Sequence, residues 1–159
     1  IMETLPVAYE NGNNLKAREI MVEASMAAGM AFTNVSLGIV HSMAHTLGGI
    51  FHVSHGLADA VILPYIIRYN EQNEAAKEVY ANFAKRIGVE NLYEAVEALN
   101  AKINIPKCFK EILPDEEAYM AKLDEMAALA KADGCTKTNP VIPEIDEFKE
   151  LFIKVYRGE

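Results

Sequence analysis

Residues 38–49 read Gly38-Ile39-Val40-His41-Ser42-Met43-Ala44-His45-Thr46-Leu47-Gly48-Gly49, and residues 51–60 continue Phe51-His52-Val53-Ser54-His55-Gly56-Leu57-Ala58-Asp59-Ala60. The four histidines of the chain all fall between His41 and His55. The first stretch has the apolar spacing of a helix from about Leu37 to Leu47, with Gly48-Gly49 expected to end it. On that helix His41 and His45, four residues apart, stack on one face. A connector over Ile50 to Val53 then leads to Ser54, a candidate cap for a helix from His55 to about Tyr69 that Pro64 ends or kinks. The glycine break lets the second helix fold back, so imidazoles on adjacent elements can face one divalent cation. A metal ligand must be neutral imidazole, and the positive end of a helix dipole at His55 disfavours imidazolium.

Outward from this hairpin the pattern stays helical. Apolar residues recur at helical spacing from Leu15 to Phe32, with Asn13 or Asn14 as N-cap. Residues Ala24 to Ala31 are small on nearly every face, which suits a helix in the middle of a bundle. Further helices are predicted over Glu74 to Ile87, Leu92 to Ile103, Asp115 to Lys131 and Ile145 to Tyr156. No alternation marks a strand, and no repeat or low-complexity linker interrupts residues 1–159. The predicted fold class is all-α, a single helical bundle.

Composition narrows the function. The chain has 159 residues, 51% of them hydrophobic, and a net charge of −8 from 23 acidic and 15 basic side chains. That balance argues against nucleic acid or an anionic membrane surface as a partner, since both call for a basic patch. No apolar run reaches the roughly 18 residues of a membrane span. Cys108 and Cys135 show no Cys-x2-Cys spacing, which suggests a reduced, cytoplasmic setting. Two histidines alone make half a metal site, because zinc and iron take three or four protein ligands. Asp59 is the nearest carboxylate, although spacing singles none out.

The histidine stretch resembles the signature of iron-containing (group III) alcohol dehydrogenases, Gly-x2-His-x2-Ala-His-x2-Gly with a final His-Gly ten residues past the second histidine. Leu5-Pro6, Ala17-Arg18, Met21, Ala24-Ser25, Gly29 and Ala31-Phe32 resemble the helix that precedes it, and Cys135-Thr136 with Asn139-Pro140 its C-terminal landmark. The resemblance implies the C-terminal helical domain of the dehydroquinate synthase-like and iron alcohol dehydrogenase fold. An N-terminal α/β domain binding NAD or NADP would be absent from this chain, along with an Asp-x3-His ligand pair. By position it implies His41 and His55 as ligands of a divalent metal, Fe²⁺ or Zn²⁺, and His45 beside the nicotinamide and the substrate oxygen in proton transfer. Phe32, His52 and Cys135 match positions on or near the substrate pocket. Ser54 stands where the family has proline and Val141 where it has arginine after Asn-Pro. The implied reaction interconverts small primary alcohols and aldehydes by hydride transfer, in an enzyme that a homo-oligomer would suit, while the chain alone is expected to be inactive and to bind metal weakly. Two other readings are a stand-alone helical binding or scaffold domain, and a metal lyase of the dehydroquinate synthase type.

Overall fold

The computed structural model describes all 159 residues, and they form nine α-helices and two 3-10 turns with no strand. The helices are α1 (Thr4–Glu10), α2 (Leu15–Val35), α3 (Ile39–Phe51), α4 (His55–Asn70), α5 (Glu74–Arg86), α6 (Leu92–Lys102), α7 (Glu116–Met120), α8 (Leu123–Ala132) and α9 (Ile145–Arg157), with 3-10 turns at Phe109–Glu111 and Gly134–Thr138. The predicted all-α class is what the chain adopts. Side chains that can accept from free N-terminal amides open several helices: Asn14 for α2, Asn73 for α5, Asn91 for α6 and Asp115 for α7. No helix is long and apolar enough to cross a membrane.

The core is built by α3, α4, α8 and α9. Ile39, Met43 and Leu47 recur every four residues along α3 and are fully buried. They join Ala58, Ile62 and Ile66 of α4, Met126 and Ala130 of α8, and the stripe Phe148, Leu151, Phe152, Val155 and Tyr156 of α9 in one cluster. Tyr119 of α7 stacks between Phe51 and Tyr156, with ring centroids 5.5 and 4.2 Å away, and donates its hydroxyl to the Phe152 carbonyl.

Several local expectations are corrected. Gly48-Gly49 does not stop α3, which runs on to Phe51 and ends where His52 takes a left-handed conformation at φ 56°. A glycine costs a helix only about 1 kcal/mol, and the neighbouring Leu47 and Phe51 both pack on the core. Ser54 stands at the N-cap of α4, but its side chain makes no capping bond. Pro64 neither ends nor interrupts α4. The helix predicted over Asp115 to Lys131 is two helices, broken at Ala121 and Lys122, where Lys122 (φ −99°, ψ 0°) turns the chain and α8 begins anew. Thr4–Glu10 forms a further short helix, outside those predicted.

The largest departure is α2. It was expected inside the bundle, yet only Ala17 of its 21 residues is buried. Its axis meets that of α3 at 105°, which carries it away from the core, and its packing partner is α1. Leu15, Val22, Met26, Met30, Phe32 and Val35 therefore stay exposed.

The hairpin that carries the histidines is clamped from below. Asn139 Oδ1 accepts from the Ile39 amide at the start of α3, and its Nδ2 donates to Asn70 Oδ1 at the end of α4 and to the Val141 carbonyl. Asn139 thus ties one end of α3 to one end of α4. Gly38 is required at this join, since a Cβ there would lie 2.6 Å from Asn139 Oδ1. Thr136, also buried, donates to the Ala130 carbonyl and lies 2.8 Å from Ser42 Oγ, fixing the Gly134–Thr138 turn against α3.

Candidate metal centre

α3 presents His41 and His45 one helical turn apart, and α4 begins at His55 on the adjoining rod. The three rings form a triangle: centroids lie 6.1 Å apart for His41 and His45, 5.2 Å for His41 and His55, and 5.2 Å for His45 and His55, the last pair nearly parallel at 15°. Side-chain exposure runs from 27% at His41 to 45% at His45 and 51% at His55, so the cluster stands at an open edge of the bundle. The convergence expected of His41 and His55 is therefore present.

Two carboxylates divide the cluster. Asp59, one turn into α4, sets Oδ2 3.1 Å from His55 Nε2 and 3.7 Å from His41 Nε2. Its other oxygen, Oδ1, is buried without a hydrogen-bond partner. Burial pushes the Asp59 carboxyl above its ordinary 3.8, with the nearby histidines pulling the other way. Burial also lowers His41 below 6.5, helped by the neighbouring rings of His55 and His45 and opposed by Asp59. The second carboxylate, Asp133, lies 2.8 Å from His45 Nδ1 through Oδ2, while Oδ1 accepts from the Cys135 amide at 2.8 Å. Burial alone would raise Asp133, but the bonds from His45 and Cys135 outweigh it and hold the group below its ordinary value. An ionised carboxylate only accepts, so His45 Nδ1 carries the proton of this bond, and in the neutral form of the ring Nε2 is the nitrogen with the lone pair.

Donor atoms of His41, His55 and Asp59 lie within 4.8 Å of one another, as do those of His45, Asp133 and Cys135. The first group is suited to a divalent cation: two imidazoles and a carboxylate of mixed nitrogen and oxygen character, one oxygen of which lacks any partner in the protein. Cys135 lies beside His45 and Asp133, and burial with the adjacent Asp133 raises its thiol. Phe32 and His52 are not brought into the cluster. Phe32 is exposed on α2 and His52 is exposed at the end of α3, and no ring contact or ion pair joins either to the three histidines. Asp133 was missed by the sequence reading. Its one local signal is the turn-forming Asp133-Gly134 ahead of Cys135, and nothing in that pattern points to a histidine 88 residues away.

Comparison with known proteins gives this geometry a family. The model of the Fe-containing alcohol dehydrogenase family, C-terminal part, matches residues 1–156. The NADPH-dependent butanol dehydrogenase of Clostridium saccharobutylicum is 41% identical over 99% of this chain, and alcohol dehydrogenase 4 of Saccharomyces cerevisiae 40% identical over 98%. The iron-containing alcohol dehydrogenase of Thermococcus thioreducens superposes with a TM-score of 0.87 at 35% identity, over 99% of this chain and 43% of that structure. The chain spans 42% of the butanol dehydrogenase and 41% of the yeast enzyme. With the histidine triangle, the all-α fold and a family match over nearly its whole length, the chain belongs to the iron-containing alcohol dehydrogenase family, as its C-terminal helical domain.

Proposed function

We propose that this chain is the metal-carrying part of an NAD- or NADP-dependent dehydrogenase that interconverts primary alcohols and aldehydes. The observation that carries the reading is the meeting of His41 and His55 from α3 and α4, with His45 against them, at an open edge. The butanol dehydrogenase relative, NADPH-dependent by name, supports a nicotinamide partner and a short alcohol as the substrate class. Residues 1–159 would act as one helical metal-binding domain beside a nucleotide-binding portion.

In this reading His41 and His55 hold the cation. The burial that lowers His41 keeps it a neutral ligand. A divalent ion bound there supplies Lewis acidity to the alcohol or aldehyde oxygen. His45, with Nδ1 donating to Asp133, has Nε2 free to take the alcohol proton, and the Asp133 carboxylate stabilises the imidazolium that results. Cys135, beside this pair, borders the substrate space, with Phe32 and His52 as outlying candidates for its walls. The triangle of histidines weighs against the scaffold reading, which does not require it.

The test is the longer protein in which this chain is joined to a nucleotide-binding portion. Loaded with Fe²⁺ or Zn²⁺, it should oxidise butanol with NAD or NADP, read at 340 nm, and His45→Ala should lower kcat by about 10²–10⁴-fold, the scale of a lost proton-transfer group. The 159-residue chain alone should give no change at 340 nm. Metal-replete protein inert with both nucleotides on primary alcohols and aldehydes would overturn the proposal.

A further inference from the structure

A cavity of about 330 Å³ opens where the chain turns from α2 into α3. Its walls are aliphatic: Val35 at the end of α2, Val40 of α3, and Leu63, Ile66 and Ile67 of α4. Three of its polar side chains, Asn70, Tyr80 and Asn139, form one connected network. Asn70 Nδ2 donates to the Tyr80 hydroxyl oxygen at 3.2 Å, so that hydroxyl keeps its own proton to donate. No Asp, Glu, Lys, Arg or His lines the space, although charged residues make up 24% of the chain. An apolar hollow with a few convergent polar groups is the usual build of a small-molecule site, and this one stands at the small end of the size range.

The lip of the cavity is strained. Ser36 has φ 65° and ψ −169°, a region that residues other than glycine rarely enter. Such a conformation persists only where the surroundings over-determine it. Here Thr138 donates its hydroxyl to the Leu37 carbonyl and Asn139 accepts from the Ile39 amide, which pins the residues just past Ser36. Burial does not account for the posture, because Ser36 is exposed. Strained residues of this kind gather at ligand clamps.

We propose that this cavity binds a small neutral molecule, mainly apolar and carrying one acceptor oxygen, a carbonyl or a hydroxyl. The oxygen takes the Tyr80 proton, and the hydrocarbon part lies against Val40, Leu63 and Ile67. An uncharged lining selects against ions, which would lose water and gain no counter-charge. The bound molecule braces the Asn70–Asn139 clamp that ties the start of α3 to the end of α4. None of the four histidines lines the space, and neither do Phe32 and Cys135. The site therefore stands or falls apart from the reading of the metal centre and its substrate.

Cyclohexanone is a suitable probe: neutral, compact, an acceptor only, and neither a primary alcohol nor an aldehyde. Titrated into the ¹⁵N-labelled 159-residue chain without metal, it should shift the amides of Gly38, Val40, Leu63 and Thr138 saturably, in the millimolar range expected of so small a ligand. Leu63→Trp, which fills the hollow, should abolish those shifts. Should that variant unfold, Val35→Trp takes its place, at a position 69% exposed and so tolerant of bulk. Tyr80→Phe should weaken binding about three- to tenfold, the scale of one hydrogen bond, with unchanged helical circular dichroism. Cyclohexanecarboxylate, similar in shape but anionic, should bind more weakly than the ketone. No saturable shift in the wild-type chain, or shifts centred elsewhere that the tryptophan variant leaves unchanged, would overturn the site. Equal affinity in Tyr80→Phe would overturn the role of its hydroxyl, and a carboxylate bound as tightly as the ketone would overturn the neutral class of ligand.

Discussion

At the scale of single residues, the site was legible wherever its members are neighbours in sequence. His41 and His45 are four apart, and helical periodicity alone places them on one face, while Asp59 was the nearest carboxylate but was singled out by no spacing. Asp133 was not legible, because its bond to His45 is made by the tertiary fold over 88 residues. That bond has a pH signature. The Asp133 carboxyl lies below its ordinary 3.8 in the folded chain, since the bonds from His45 and Cys135 outweigh its burial. A group lowered by folding contributes stability above its unfolded pKa and loses it as pH falls through the folded one. Asp133→Asn should therefore destabilise the chain near pH 7, and the deficit should shrink as pH falls below the ordinary 3.8 and through the lowered folded value, where wild type loses the same contribution. Urea denaturation at pH 7 and pH 3 measures it, and a deficit equal at both would refute the ionic account. The same variant should release the tautomer of His45. Its ¹⁵N shifts should move from a predominantly Nδ1-protonated ring toward a mixture, and an unmoved spectrum would show that Asp133 does not orient the imidazole.

At the scale of the element, the strongest misreading concerns helix breakers. Pro64 lies ten residues into α4 and fully inside it, although it lacks the amide that would bond the Ala60 carbonyl. The chain supplies that donor from elsewhere: Asn100 of α6 places Nδ2 2.7 Å from the Ala60 carbonyl. The proline is tolerated because a side chain 40 residues away repairs the ladder, which no local rule can foresee. Asn100→Leu keeps the volume and removes the donor, so it should cost about 1–2 kcal/mol, the scale of a partly buried carbonyl left unpaired. In a Pro64→Ala background the helix regains its own amide at position 64, and Asn100→Leu should then cost less than half as much. Thermal and urea unfolding of the four proteins in this cycle give the coupling directly. Equal cost in both backgrounds would mean that Asn100 stabilises α6 packing rather than the α4 ladder. Gly48 and Gly49 teach the converse: a pair that favours termination yields to burial, because Leu47 and Phe51 hold α3 to the core through them.

At the scale of the whole molecule, the helix pattern yielded the fold class but not which helices meet. Small residues over Ala24 to Ala31 permit close packing without specifying a partner, so the pattern that suits a bundle's centre is equally compatible with the exposed rod observed. Stability should accordingly be uneven. Amides in α3 and α4 belong to segments locked by the common core and by the Asn139 clamp, so their exchange requires global opening. Amides of α2 beyond Ala17 are bonded only along their own helix and supported by α1, with Val22, Met26 and Met30 turned to solvent. Helices in proteins draw most of their stability from tertiary packing, and α2 has little of it, so residues 20–35 should open locally without disturbing the histidine cluster. Hydrogen exchange of the 159-residue chain should show peptides from that segment exchanging at least about a hundredfold faster than those from α3. Zn²⁺ should slow exchange in α3 and α4, where His41, His55 and Asp59 lie, and leave α2 unchanged, because a ligand protects only openings that break its site. Protection of α2 equal to that of α3, or rising with it on addition of metal, would show that the two helices unfold as one unit and that the core extends beyond the packing seen in the fold.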